Sequence, residues 1–230
     1  MGVTEGLDGA TPLVEARELY RFYHTEEDET FALRGVSMSV GRGEMVAVLG
    51  PSGSGKSTLM ACLAGLDEPD GGHVVVAGQR ISRRPELERA ALRSRWIGML
   101  LQSGNLLEHL SVIENIRVTQ ALSREGARPN PKELLEQVDL ADRAGARPTT
   151  LSGGEAARAG LAVALANDPP VLLADEPTGE VDAGNQETLL SLLRDRADAG
   201  KAVVVVTHSQ RVADVADRVI RLADGRIANA

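Results

Sequence analysis

The sequence has few of the residues that build a disulfide-linked or membrane-spanning protein. Cysteine occurs once, at Cys62, which excludes an internal disulfide and fits a reducing compartment. Aliphatic runs such as 202–206 are far shorter than the roughly 20 apolar residues that cross a bilayer, so no membrane span is expected. Residues 1–10 contain no basic side chain, so no secretory signal is expected either.

Positive charge is also scarce. The chain has 25 lysines and arginines against 33 acidic residues, which gives a net charge of −8 and an isoelectric point near 5.1. A protein that binds a phosphate backbone needs a basic face, so no nucleic-acid partner is expected. The length of 230 residues and the 43% hydrophobic content suit one large domain with an ample core.

Short aliphatic runs predict strands that are buried on both faces of a parallel sheet. They are rich in leucine or β-branched residues and show little polar alternation. The runs are 45–49, 74–77, 97–101, 171–174, 202–207 and 219–222, and helical patterns cover 57–66, 155–166 and 185–196. Alternation of strands and helices predicts an α/β domain with right-handed crossovers.

The middle of the chain is mostly helical and rich in charge from about 84 to 147, with 97–101 as its one strand-like run. Turn signals at Gly104, Gly126, Pro129 and Pro131 interrupt it. With the helix that follows, this segment is expected to form a helical subdomain at about 84–165. It would be inserted in the core of a single domain spanning 1–230, with a flexible tail at 1–12.

A phosphate-binding loop follows the first buried run. Residues 50–57 match the pattern G-x-x-x-x-G-K-S between a predicted strand and a predicted helix, the context that this motif requires. Glycines let successive N–H groups face one anion, and the helix N-terminus adds partial positive charge. Lys56 is expected to reach the β- and γ-phosphates, and Ser57 to ligate Mg²⁺. The expected nucleotide-binding residues are Gly50, Pro51, Ser52, Gly53, Ser54, Gly55, Lys56, Ser57 and Thr58.

Two acids end the apolar run 171–174 and supply the chemistry that a phosphate loop lacks. Carboxylates at the C-terminal end of a parallel strand project into the crevice where α/β folds bind ligands. Asp175 is expected to hold Mg²⁺ through water, and Glu176 to polarise the attacking water as a general base. The sequence therefore indicates a site that binds and hydrolyses a nucleotide.

Further motifs resemble the nucleotide-binding subunit of ATP-binding cassette (ABC) transporters over about 13–229. Gln102 follows the run 97–101, the segment 179–182 follows the acidic pair, and His208 follows the run 202–207. The family's signature is matched by Leu151, Ser152, Gly153, Gly154 and Glu155. The resemblance implies the ABC ATPase fold: a P-loop core with a mainly parallel sheet, N-terminal antiparallel strands and a helical insertion.

The resemblance also implies a head-to-tail homodimer, in which each phosphate loop faces the partner's signature across ATP and Mg²⁺. Ser152 and Gly154 would touch the γ-phosphate on the opposite subunit, with Gly153 and Glu155 beside them. Asp182 would lie near the partner's phosphate loop. The implied catalytic residues are Glu176, His208, which holds the γ-phosphate, and Gln102, which contacts Mg²⁺ or the attacking water. The implied metal ligands are Ser57, Gln102 and Asp175.

Four of the five aromatic residues lie in one N-terminal segment, at Tyr20, Phe22, Tyr23 and Phe31. The family stacks an aromatic residue from this segment on adenine. Tyr23 aligns best with that role and Phe22 is the second choice.

Within the family, the sequence is most similar to the branch of lipoprotein-release, macrolide-export and cell-division ATPases. This likeness implies a separately encoded membrane permease, engaged at the cytoplasmic face of the inner membrane, in an exporter or an extraction or force-transmitting system. The alternative is a regulatory or sensory ATPase module whose ATP-dependent docking signals without moving a substrate. Leu106, Leu107 and Leu110 are candidates for the apolar patch that receives the permease, and internal packing is the alternative for them.

The sequence departs from the family's usual pattern at three places, and these changes are expected to weaken dimer closure or slow turnover. Glu155 replaces the commoner glutamine of the signature. Behind it, Arg158 alone remains of the usual polar set. The other departures are Ala156, Ala157, Val163, Glu180 and Val181.

Overall fold

The computed structural model describes residues 11–24, 29–123, 128–179 and 181–228. The strands are β1 (Val14–His24), β2 (Glu29–Val40), β3 (Met45–Leu49), β4 (Gly71–Val76), β5 (Gln79–Arg80), β6 (Ile97–Leu100), β7 (Val171–Asp175), β8 (Ala202–Thr207), β9 (Arg218–Ala223) and β10 (Arg226–Ile227). The helices are α1 (Lys56–Leu63), α2 (Glu86–Trp96), α3 (Val112–Leu122), α4 (Pro131–Gln137), α5 (Gly153–Ala164), α6 (Ala183–Asp198) and α7 (Gln210–Val215). Of the expected tail, residues 1–10 lie outside the described ranges.

The larger sheet has six strands in the order β10-β9-β3-β8-β7-β6, and all of its neighbours are parallel except the β9–β10 hairpin. Successive side chains of its central strands point alternately into two hydrophobic cores, one on each face of the sheet. Val46 and Val48 belong to the core shared with the smaller sheet, whereas Met45 and Ala47 belong to the core formed with α3, α4, α5 and α6. The continuous apolar runs thus arise from burial on both faces, as predicted for 45–49, 171–174 and 202–207.

The smaller sheet is antiparallel, with the order β2-β1-β4-β5, and it corrects one prediction. The run 74–77 was expected in the parallel sheet, but Val74 pairs with Ala16 of β1 in the antiparallel sheet. Ala77 and Gly78 form the two-residue turn into β5, both with positive φ (48° and 76°). A two-residue turn of this kind joins antiparallel strands. The turn therefore places the run in the antiparallel sheet, although its apolar character is typical of a buried parallel strand.

The three predicted helices are present, with each end within about three residues of its predicted position. The run 97–101 forms β6, an edge strand that pairs with β7. After it, α3, α4 and α5 pack together around Ile116, Leu135 and Leu161. These helices supply most of the helical subdomain expected at about 84–165, whose extent stays a prediction.

Arg194 ties the end of α6 to the strand that leads into the phosphate loop. Its Nη1 donates to Asp217 Oδ2 (2.7 Å) and its Nη2 to the Gly43 carbonyl (3.2 Å). Asp217 Oδ2 also accepts a hydrogen bond from the Met45 backbone N–H (2.7 Å). Partial burial raises the pKa of Asp217, but the bonds from Arg194 and Met45 outweigh it and hold that pKa below its usual value. The first residue of β3 is thereby fixed to both α6 and the start of β9.

Within the part of the chain that the structure describes, no helix combines the length and the apolar character needed to cross a bilayer. In the same residues, no group of three or more His, Cys, Asp and Glu side chains is arranged to hold a metal ion by itself.

Candidate nucleotide site

The phosphate loop connects the buried strand β3 to α1, which begins at Lys56. Gly53 and Gly55 adopt positive φ values of 77° and 98°. At Gly55 a Cβ atom would stand 2.3 Å from the Ala32 carbonyl oxygen, so only glycine fits between the loop and β2. This close approach makes β2 part of the wall around the loop.

Lys56 supplies a positive charge at the start of α1. Its Nζ donates to the carbonyls of Gly50 (2.8 Å) and Pro51 (2.9 Å), and among the described residues it forms no salt bridge. The first turn of α1 contains no acidic residue. The ammonium group and the helix N-terminus therefore both favour an anion at this loop, as expected for a triphosphate.

Asp175 and Ser57 place two hard oxygen donors side by side at the C-terminal end of β7. Burial raises the pKa of Asp175, and repulsion from Glu176 raises it further, while Lys56 and a hydrogen bond with the Ser57 hydroxyl act in the opposite direction. A cation bound between them would remove the cost of keeping the buried carboxylate charged. Hydroxyl and carboxylate oxygens are the ligands that Mg²⁺ prefers, so this pair fits the ion.

Glu176 is held firmly from the end of β8. Its Oε1 lies 2.8 Å from Nδ1 of His208, and its Oε2 accepts a hydrogen bond from the Thr207 hydroxyl (2.8 Å). Its backbone N–H donates to the Val206 carbonyl (2.8 Å), and its φ of 45° lies in the left-handed region. A non-glycine residue in this region stores strain, which proteins tolerate at functional sites. The carboxylate is thus oriented by two neighbours and by its own backbone.

These groups meet in one cavity of about 570 Å³. It brings together eleven residues predicted from the sequence: Tyr23, Ser52, Gly53, Gly55, Lys56, Ser57, Thr58, Gln102, Asp175, Glu176 and His208. Of the remaining loop residues, Ser54 is buried, and Gly50 packs so closely against the Leu222 carbonyl that a Cβ would stand 2.2 Å from it. Thr30 and Ala32 also line the cavity. No sequence signal marks them, because the β1–β2 pairing alone brings them there.

Tyr23, rather than Phe22, lines this cavity. The Tyr23 hydroxyl donates to Asp67 Oδ2 (2.6 Å), and the Arg21 guanidinium lies 4.7 Å from the ring centroid. Partial burial and the bond to Asp67 raise the pKa of Tyr23. The Phe22 ring instead packs edge-to-face on Phe31, with centroids 4.9 Å apart. Tyr23 is thereby the aromatic side chain available to a base bound beside the loop.

The signature lies outside the phosphate-loop cavity. Ser152 caps α5, and its backbone N–H donates to Glu155 Oε2 (2.8 Å). Gly153 instead lines a neighbouring cavity of about 300 Å³, which shares Gln102 and Glu176 with the first. Asp182 caps α6 by accepting hydrogen bonds from the backbone N–H groups of residues 184 and 185. One chain therefore does not surround a triphosphate with both its loop and its signature.

Asn185 connects the signature helix to Asp182, a link that the sequence analysis missed. Its Nδ2 donates to Asp182 Oδ2 (2.6 Å), and its Oδ1 accepts a hydrogen bond from Arg158 Nη1. Gly154 packs against it so closely that a Cβ would stand 2.3 Å from the Asn185 Cγ. No local motif signals this residue, because the contact depends on how α5 packs against α6.

Behind the signature, small or apolar side chains stand where the family usually has polar ones. Ala156 and Ala157 line the smaller cavity, and Val163 packs against the core beneath α5. Val181 lines the smaller cavity too, whereas Glu180 lies outside the described residues. The effect of these substitutions on closure and turnover stays a prediction.

Comparison with known proteins identifies the family. A family model described as ABC transporter matches residues 33–179. A Thermotoga maritima protein named as an uncharacterized ABC transporter ATP-binding protein is 43% identical over 218 residues, which cover 94% of this chain and 93% of that protein. The macrolide export ATP-binding/permease protein MacB of Hyphomonas neptunium is 41% identical over 219 residues, covering 94% of this chain. The match covers only 34% of MacB, so this chain corresponds to about a third of that protein.

Solved structures give the same result. The dimeric structure of MJ0796, a bacterial ABC transporter cassette, superposes with a TM-score of 0.85 at 34% identity, covering 94% of this chain and 97% of that one. A dimeric post-hydrolysis structure of MJ0796 bound to ADP and Pi gives a TM-score of 0.86. The chain therefore belongs to the ABC transporter family, and it is one of the family's ATP-hydrolysing nucleotide-binding cassettes.

Proposed function

We propose that two copies of this chain close head to tail around two ATP molecules and drive a separate membrane permease. The observation that carries the proposal is the separation of the two anion-attracting features of one chain. Lys56 and the phosphate loop line one cavity, and the capped N-terminus of α5 lies outside it. A second copy supplies the missing signature, as the dimeric form of MJ0796 supports.

In the closed pair, Lys56 binds the β- and γ-phosphates, and Tyr23 stacks on adenine. Ser152 and Gly154 reach the γ-phosphate on the partner, with Gly153 and Glu155 beside them. Asp182, which caps α6 and is exposed, approaches the partner's phosphate loop. Each bound nucleotide therefore contacts both copies and favours closure.

The hydrolytic step uses the residues at the ends of β7 and β8. Glu176, oriented by His208 and Thr207, accepts the proton of the attacking water, and His208 also holds the γ-phosphate. Ser57, Asp175 and Gln102 would hold Mg²⁺, and the bound ion would supply positive charge beside the phosphoryl oxygens.

The chemistry is tested by the variant Glu176→Gln, which keeps the size of the side chain and removes the base. ATP hydrolysis is expected to fall by about 10²–10⁴-fold, while ATP and Mg²⁺ now hold the protein as a stable dimer in light scattering. Lys56→Ala is the control that should lose both nucleotide binding and dimerisation. Unchanged turnover in Glu176→Gln would remove this residue from the mechanism.

The composite site is tested by mixing two inactive variants. Lys56→Ala disables the loop of one copy, and Ser152→Glu places a negative charge in the signature of the other. A mixed dimer retains one intact site. In that site, the unmodified loop of the Ser152→Glu copy faces the unmodified signature of the Lys56→Ala copy. Mixing should restore ATP hydrolysis above that of either variant alone. If hydrolysis is not restored, the two motifs do not meet across an interface.

The permease is proposed to dock near Leu106, Leu107 and Leu110, at the inner face of the membrane. Leu106 is half-buried and packs against the core, while Leu107 is 47% exposed. Leu107→Asp is expected to abolish pull-down of the membrane protein encoded beside this chain without lowering basal ATP hydrolysis. Leu66→Asp, at a leucine of similar exposure (51%), is the matched control. Equal retention of the permease by both variants would contradict docking at Leu107.

Likeness to MacB supports an exporter of the macrolide-export type. A force-transmitting system of the lipoprotein-release or cell-division type rests on the sequence resemblance described above. If deletion of the chain and its permease leaves export unchanged but alters a signalling response, the output is regulatory.

A further inference from the structure

Glu155 brings a negative charge to the end of the helix that is expected to receive a triphosphate. It is the third residue of α5, and its carboxylate is fixed there, because Oε2 accepts a hydrogen bond from the Ser152 backbone N–H (2.8 Å). In return, the Glu155 N–H donates to the Ser152 hydroxyl (3.2 Å). This reciprocal cap stabilises the helix. The negative charge of the Glu155 carboxylate, however, offsets the partial positive charge of the helix N-terminus.

Arg143 compensates this carboxylate from outside the helix. Its Nε donates to Glu155 Oε1 (2.8 Å), so the two oxygens of Glu155 have separate partners. The backbone bond to Ser152 and the pair with Arg143 hold the pKa of Glu155 below its usual value, so the side chain is ionised at neutral pH.

The position of Arg143 is set by the helical subdomain. Arg143 ends the 3₁₀ turn Ala141–Arg143, and the Ala144 carbonyl that follows accepts a hydrogen bond from the Ile113 backbone N–H in α3 (3.0 Å). The Arg143 side chain is 51% exposed and that of Glu155 is 18% exposed. Because solvent reaches the Arg143 side chain, this ion pair contributes little to folding stability, and its consequence is the charge that it leaves at the signature.

We propose that Arg143 is a positioning residue of the composite site: it neutralises Glu155, so that the signature of one copy presents no net negative charge to the nucleotide of the other. The proposal rests on the head-to-tail dimer described above. Without Arg143, the Glu155 carboxylate faces the triphosphate alone, and repulsion between the two opposes closure. Arg143 acts through Glu155 and does not itself touch the nucleotide.

The test measures ATP-dependent dimerisation in the Glu176→Gln background, by sedimentation at several protein concentrations with Mg²⁺ present. Arg143→Met keeps the length of the side chain and removes its charge. It should weaken dimerisation by about 3- to 10-fold, the effect of one uncompensated surface charge that faces a multivalent anion. The loss should shrink at high salt, because salt screens repulsion between exposed charges. Binding of ATP to the monomer should not change.

The double variant Arg143→Met/Glu155→Gln separates charge compensation from a structural role. Glutamine keeps the cap, since its carbonyl oxygen also accepts from the Ser152 N–H. The double variant should therefore dimerise within about 2-fold of the parent, as should Arg143→Lys, because neither leaves an unpaired negative charge at the signature. Failure of Glu155→Gln to rescue Arg143→Met would overturn the proposal.

The outcome also distinguishes this inference from the proposed function. A Glu176→Gln parent that stays monomeric with saturating ATP contradicts the dimer and, with it, the role of Arg143. If the Glu176→Gln parent dimerises and Arg143→Met does not weaken its dimerisation, only the role of Arg143 is contradicted and the proposed dimer stands. Thermal unfolding of each variant should match the parent closely, because an ion pair with a solvent-accessible partner contributes little to stability.

Discussion

Gly55→Ala tests whether the phosphate loop owes its shape to its contact with β2. At φ 98° an L-residue incurs about 1–2 kcal/mol of backbone strain. The added Cβ would also stand 2.3 Å from the Ala32 carbonyl oxygen and 3.3 Å from Leu33 Cδ2. Relieving such a contact requires backbone movement, which costs about 1–3 kcal/mol more. The variant should therefore lose ~2–5 kcal/mol of unfolding free energy.

Gly53→Ala is the matched control in the same loop. Its φ is 77°, but a Cβ there would meet nothing within 4 Å, so only the strain of about 1–2 kcal/mol applies. Urea unfolding measures both losses, and calorimetric titration measures nucleotide affinity. Since β2 contributes Thr30 and Ala32 to the cavity, Gly55→Ala should also weaken ATP binding more than Gly53→Ala does. Equal effects of the two substitutions would refute the role assigned to the β2 contact.

Three further predictions concern other parts of the molecule. Gly154→Ala should weaken ATP-dependent dimerisation without weakening ATP binding to the monomer, because its Cβ would displace Asn185 (2.3 Å), and sedimentation with parallel titration measures both. Tyr23→Ala should lower ATP affinity by about 1–3 kcal/mol through lost stacking, whereas Tyr23→Phe should retain most of it in the same titration. The lowered pKa of Asp217 stabilises the fold above the ordinary value of 3.8, and this stability is lost as pH falls through the folded-state pKa. Asp217→Asn should accordingly flatten the fall in unfolding free energy below about pH 4, and a slope like that of the parent would contradict the assignment.

Much of the fold could be predicted because its signals are local. The run 45–49 is apolar throughout, since both of its faces are buried, and residues 50–57 carry their chemistry in sequence order. The strand at Val74 was assigned to the wrong sheet because three consecutive valines do not distinguish parallel from antiparallel pairing. The turn at Ala77 and Gly78 carried that information.

The parts of the site that the sequence did not predict depend on contacts between distant segments. Ala32 reaches the loop only through the pairing of β1 with β2, and Asn185 reaches Arg158 only through the packing of α5 against α6. The compensation of Glu155 by Arg143 spans two elements as well. Ala32, Asn185 and Arg143 stand in no motif, because each acquires its role from the tertiary structure.

Arg194 anchors the C-terminal part of α6 to the core, whereas Asp182 caps the other end of the helix at the surface. The two residues are twelve positions apart, so a rise of 1.5 Å per residue separates them by roughly 18 Å. If α6 tilted by about 5° about Arg194, Asp182 would move by roughly 1.6 Å, enough to make or break a hydrogen bond. In the proposed dimer, the anchor at Arg194 would therefore help to fix the position of Asp182 relative to the partner.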